Sequence, residues 1–197
     1  MKNERSPLRW VRLDNAAKIY PAARSQRWSN VFRLSATLQD TVDVAVMQSA
    51  LDVTVRRFPS IAARLRKGLF WYYLEQLHRA PRIRMEASYP LTRMGFSETR
   101  QCALRVIVYR NRVAVEYFHS LTDGTGGLIF LKNLVAEYLQ QKYGAAVPPQ
   151  GDILDRQEEP KEEELEDSFL RYAAPVVSGR KENPAWRLSG TPEQNEF

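Results

Sequence analysis

His119, Asp123 and Gly124 stand in the pattern His-x-x-x-Asp-Gly, within Tyr117-Phe118-His119-Ser120-Leu121-Thr122-Asp123-Gly124. An alternating apolar stretch precedes the pattern and an amphipathic one follows it. Histidine is the side chain whose ordinary pKa lies near neutrality, which makes it the default general base. One of the chain's two histidines holds this position. With two His, eight Asp and nine Gly in 197 residues, the spacing arises by chance in roughly four chains per thousand, a low background for a short motif. Two plainer readings stand beside catalysis: His119 as a packed or surface histidine, and Asp123-Gly124 as a simple turn. The turn alone does not account for a histidine four residues earlier.

Few other residues offer chemistry. Cys102 is the only cysteine, so an internal disulfide and zinc sites built on paired cysteines are excluded. It reads as a buried, inert thiol, and a reducing cytoplasm is the expected compartment. No metal site is expected. His78, beside Arg79 and near Pro81, reads as a loop residue without a role. No apolar run is long enough to span a bilayer. Met1-Lys2-Asn3-Glu4-Arg5-Ser6-Pro7 lacks the apolar stretch of a signal peptide. Neither a membrane nor nucleic acid is expected as a partner, because the basic residues are scattered and form no basic-aromatic recognition motif.

The net charge of +6 is unevenly spread. Residues 1–112 carry 21 Lys+Arg against 8 Asp+Glu, and residues 113–197 carry 8 against 15. A basic first half attracts phosphate groups or an acidic protein, or is simply balanced by the acidic second half.

The elements that must position the motif follow from periodicity. Residues 1–27 read as an irregular arm. Phe32, Leu34, Ala36 and Leu38 alternate with Arg33, Ser35 and Thr37, the period of a half-buried strand. A helix is predicted from the cap Asp43 to Phe58, where Pro59 stops it. Ile61–Leu65 and Leu69–Leu74 read as strands joined at Lys67-Gly68, and Ile83–Ala87 as another. Residues 88–100 read as a loop. Cys102–Tyr109 and Val113–Phe118 read as a hairpin. A helix over 127–143 places Leu128, Leu131, Val135, Tyr138 and Leu139 on its apolar face, with Gly144 ending it. Residues 152–167 contain nine Asp+Glu and read as an exposed linker or solvated helix. Apolar residues return from Phe169 to Trp186.

The strand–motif–helix unit resembles the signature of the chloramphenicol acetyltransferase-like superfamily, which includes condensation domains of peptide synthetases and alcohol acetyltransferases. Arg56-Arg57-Phe58-Pro59-Ser60-Ile61-Ala62-Ala63-Arg64-Leu65 is similar to the Arg-containing second motif of condensation domains. Arg12-Leu13-Asp14-Asn15-Ala16-Ala17-Lys18-Ile19-Tyr20-Pro21 resembles the opening of a bacterial alcohol acetyltransferase-like branch. The resemblance covers roughly residues 8–145. Phe118 replaces the first histidine of the common His-His-x-x-x-Asp-Gly form, while His119 keeps the second. The Asp-Phe-Gly-Trp-Gly motif of the C-terminal half is missing.

The resemblance implies an α/β fold: a mixed, largely antiparallel sheet with flanking helices. It implies residues 1–150 as the N-terminal half of an acyltransferase or condensation-type domain. Residues 151–197 would be an acidic linker and crossover towards a further half. It implies acyl transfer from a thioester to an alcohol or amine, with His119 as general base and no acyl-enzyme. No cofactor is held tightly; acyl-CoA or acyl-phosphopantetheine serves as co-substrate, and an acidic carrier protein is one expected partner. Ser120 or Thr122 would be the hydroxyl to touch an intermediate oxyanion, a contact that the sequence itself does not show. Asp123 would support the loop by pairing with an arginine, with Arg64 first and Arg33 second, and Gly124 would open space at the turn. The alternative is a non-catalytic binding protein on the same fold. An isolated half is expected to be inactive and to self-associate through uncovered apolar surface.

Overall fold

The computed structural model describes residues 10–14, 17–23, 29–161 and Glu164. Its elements run β1 (Trp10–Arg12), α1 (Ile19–Ala22), β2 (Val31–Thr37), α2 (Val44–Arg57), β3 (Ala63–Lys67), β4 (Tyr72–Gln76) and β5 (Arg84–Met85). They continue with α3 (Phe96–Thr99), β6 (Leu104–Tyr109), β7 (Arg112–Phe118) and α4 (Gly124–Tyr143). The fold is mixed α/β, as expected. An antiparallel sheet takes the order β1-β4-β3, and a mixed sheet takes β2-β7-β6-β5, in which only the β5–β6 pair is parallel.

Period-2 patterning builds the second sheet. Phe32, Leu34 and Ala36 pair with Tyr117, Val115 and Val113, which pair in turn with Leu104, Val106 and Val108. Successive side chains alternate between faces, so these residues share one. Helix α4 packs on it: Tyr117 meets Phe130 edge-on, and Phe130 meets Phe58 at the end of α2 in the same way. Helix α2 begins where predicted, because Asp43 Oδ1 accepts the Ala45 and Val46 N–H groups at 2.9 and 3.1 Å, satisfying free donors of the first turn.

The opposite face carries charge. Arg33, Glu116 and Arg105 lie side by side across three strands. Glu116, 1% exposed, accepts from Arg33 at 3.1 Å and from Arg105 at 3.0 Å. Arg105 continues to Glu98 at 2.6 Å, and Arg33 and Arg112 share Glu86. The bond from Arg105 holds the Glu98 carboxyl below its ordinary range, against the effect of burial.

Five expectations are corrected. Within the expected irregular arm, Trp10–Arg12 form β1, held by pairing with β4, and Ile19–Ala22 form α1. The second strand of the 61–76 hairpin begins three residues later than predicted, at Tyr72. Gly68 N–H donates to Trp71 O at 2.7 Å, and Leu69, Phe70 and Trp71 form an exposed tip. High β-propensity cannot specify where a turn closes. Residues 96–99 of the expected loop form α3. Helix α4 starts at Gly124, and its buried side is built on Gly127, Phe130, Leu131, Leu134 and Tyr138, while Leu128 is exposed. Gly144 ends it in the left-handed conformation, φ +66°, as expected.

The fifth correction concerns the start of the acidic segment. Asn133 of α4 donates to Asp152 O at 2.8 Å and accepts from Leu154 N–H at 2.9 Å. Arg156 pairs with Glu137 at 2.8 Å, both buried. Buried polar side chains on α4 need partners, and residues 152–156 supply them. Except for Glu164, the apolar residues and acidic run expected beyond 161 lie outside the described residues. Among the described residues no helix is long and apolar enough to cross a membrane.

Candidate functional site

His119 is the first residue after β7. Its N–H donates to Asn30 O at 2.9 Å, which ties it to the start of β2. Asn30 adopts φ +52°, a left-handed conformation that asparagine tolerates better than most residues. Its side chain donates to Tyr20 O at 2.9 Å. One turn residue thus joins β2, the motif and the N-terminal arm. The Tyr20 ring lies parallel to the imidazole, centroids 4.4 Å apart, and the Phe32 ring sits tilted at 4.8 Å. These rings fix the imidazole plane. Among the described residues neither imidazole nitrogen has a hydrogen-bond partner. The ring is held from its face, and its nitrogen-bearing edge has no partner among the described residues.

Neighbouring residues lock the loop. Ser120 Oγ donates to Ala17 O at 2.9 Å in a buried position, so this hydroxyl binds the arm and is not left for an oxyanion. Tyr117 Oη donates to Gly127 O at 2.8 Å, and burial raises its phenol pKa, which keeps that proton in place. A Cβ on Gly127 would lie 3.0 Å from the Phe32 ring and 3.2 Å from Tyr117, and one on Gly126 would lie 2.2 Å from Thr122 Oγ1. These two glycines permit the close approach of helix and loop. A Cβ on Gly124 would meet nothing within 4 Å, so the space expected to matter there is needed two and three residues later.

The expected Asp123–Arg64 pair is not formed. Arg64 lies opposite Glu75 in the β3–β4 register and bonds it at 2.6 Å. The second candidate, Arg33, is held by Glu86 and Glu116. Both arginines follow the cross-strand pairing of opposite charges, which brings their partners closer than the loop does. Asp123 is exposed, without a cationic partner among the described residues, and Oδ1 accepts the Gly126 N–H at 2.8 Å. Its support of the loop is the N-cap of α4, reinforced by the positive helix end. Asp123→Ala is therefore expected to cost about 1 kcal/mol, well below the roughly 3–5 kcal/mol of a broken buried pair, and Asp123→Asn to recover most of it. Chemical denaturation of the three proteins measures this; a loss in the buried-pair range would contradict the cap.

Burial pushes the Cys102 thiol up to about 11, leaving little thiolate for nucleophilic work. His78 is exposed just after β4. Among the described residues no group of His, Cys, Asp and Glu is arranged to hold a metal ion. Asn30, Tyr20 and Phe32 are the site residues that sequence reasoning missed. A polar residue immediately before a strand was the available signal for Asn30; nothing local marked the Tyr20 stack.

This arrangement, a strand ending in the motif histidine with α4 capped by the motif aspartate, belongs to a condensation-domain-like fold. The chain is similar to the starter condensation domain of rhizomide synthetase RzmA, with 13% identity, TM-score 0.54, and coverage of 72% of this chain and 40% of that one. It is also similar to the first condensation domain of the calcium-dependent antibiotic synthetase in complex with a substrate analogue, with 17% identity, TM-score 0.51, and coverage of 72% and 40%. A third likeness is to the X-domain in its complex with OxyB from teicoplanin biosynthesis, with 16% identity, TM-score 0.52, and coverage of 68% and 33%. The chain thus spans between 33% and 40% of the length of these structures. No family model and no curated protein matches the sequence.

Proposed function

We propose that this chain is the N-terminal half of an acyltransferase of the alcohol acetyltransferase-like branch, acting from a thioester onto an alcohol or amine. The carrying observation is the imidazole of His119, stacked on Tyr20 with both nitrogens unpaired among the described residues. In the proposed reaction an imidazole nitrogen takes the acceptor's proton. The acceptor's lone pair forms the new bond to the thioester carbonyl carbon. The C–S bond breaks, and the departing sulfur receives a proton to leave as a free thiol. A base placed in this way is worth about 10²–10⁴ in rate.

The donor is acyl-CoA or an acyl-phosphopantetheine arm, and the basic first half suits an acidic carrier protein. Residues 151–197 lead towards the remaining half in a cytoplasmic enzyme. The likeness to an X-domain in complex with OxyB favours one second reading, an interaction module on the same fold. Free-thiol release from acetyl-CoA with a panel of alcohols and amines separates the two. Turnover is expected from the protein expressed from its complete reading frame, and little from residues 1–197 alone. Thiol release that stays at background with every acceptor in the complete protein would favour the interaction module.

A further inference from the structure

We propose that Arg57 is the anion receptor of a phosphate-binding pocket beside the His119 loop, and that Glu164 is its built-in occupant. The pocket, of about 340 Å³, lies between the end of α2 and the start of α4, with Arg57, Ser60, Thr122, Gly126 and Glu164 among its lining. The Arg57 side chain is 3% exposed. Its two terminal nitrogens grip the Glu164 carboxylate, Nη2 to Oε1 at 2.8 Å and Nη1 to Oε2 at 2.5 Å. Its Nε is buried with no hydrogen-bond partner. A buried donor left unpaired is costly, so the guanidinium is only partly satisfied by the carboxylate it holds.

The remaining lining suits a larger oxyanion. The Ser60 and Thr122 hydroxyls make no hydrogen bond among the described residues. Gly126 brings in the first turn of α4, but its N–H is already taken by Asp123 Oδ1 at 2.8 Å, so the hydroxyls and the Arg57 fork are the donors offered to an anion. Asp152, the other carboxylate of the lining, is neutralised by Lys132 at 2.6 Å. The Glu164 oxygens take the two Nη groups and, at Oε2, the Lys161 N–H at 3.3 Å, and reach neither hydroxyl. A phosphate group offers three or more oxygens, enough for the guanidinium fork and a hydroxyl together. Glu164 therefore acts as an internal competitor: it belongs to the run Glu162-Glu163-Glu164, and its tether keeps its local concentration high.

The inference goes beyond the acyl-transfer reading, on which only the choice of coenzyme A as a probe rests. The test is calorimetric titration of inorganic phosphate, coenzyme A and pantetheine into the 197-residue chain and its Glu164→Gln variant. Glu164→Gln is expected to bind phosphate at least about tenfold more tightly than the parent, the worth of one charge-assisted hydrogen bond. Pantetheine, which lacks the phosphate, should show no gain. A gain shared by coenzyme A assigns the pocket to a phosphate of that ligand, and a gain for inorganic phosphate alone assigns it to the free ion; both support the receptor. Equal affinity of parent and variant overturns it, as does a gain that survives Arg57→Gln in the Glu164→Gln background. Should that double variant fail to fold, the Arg57 Nε–H resonance of Glu164→Gln decides: it should move as phosphate is added, and a stationary signal overturns the proposal. The experiment measures binding without turnover, so its failure leaves acyl transfer by His119 standing.

Discussion

In the protein expressed from its complete reading frame, His119→Ala is expected to lower kcat by at least about 10², the low end for loss of a general base. The imidazole nitrogens have no partner among the described residues, so alanine removes no hydrogen bond that the described residues make to the ring. The backbone bond to Asn30 O is retained. The Tyr20 and Phe32 rings lose a neighbour, worth about 0.5–1.5 kcal/mol per aromatic pair, so folding should survive while the chemical step does not. A loss confined to kcat identifies a group acting in the transition state. Near-normal turnover by the folded variant would remove His119 from the mechanism.

Glu116→Ala is expected to destabilise the fold by about 3–5 kcal/mol, the usual loss when one partner of a buried ion pair is deleted. Glu116 is the hinge of the charged face. Its two oxygens take Arg33 and Arg105 separately, and Oε1 also accepts the Leu91 N–H at 2.8 Å. Alanine leaves both guanidiniums with one carboxylate fewer and frees a backbone donor. Arg105 keeps Glu98 and Arg33 keeps Glu86, which favours the lower half of that range. Urea unfolding at neutral pH reads the effect as a lower midpoint at unchanged slope. A change under about 1 kcal/mol would mean that the network behaves like exposed surface pairs.

The sequence by itself determined what repeats locally. Alternation from Phe32 onwards set β2, because only a period of two puts Phe32, Leu34 and Ala36 on one face. Asp43 and Pro59 bounded α2 through a side-chain acceptor and a missing donor. The spacing of His119 and Asp123 placed both at one strand–helix junction, since a short loop leaves little freedom there. Tertiary structure decided everything that rests on a distant partner. Arg64 goes to Glu75 and not to Asp123 because strand register, set by the hairpin as a whole, brings opposite charges face to face. The left-handed turn at Asn30, the Tyr20 stack and the docking of Arg156 on Glu137 join residues between 10 and 99 positions apart. No local period encodes such pairings, because their energy comes from burying matched groups together, and burial is a property of the folded chain.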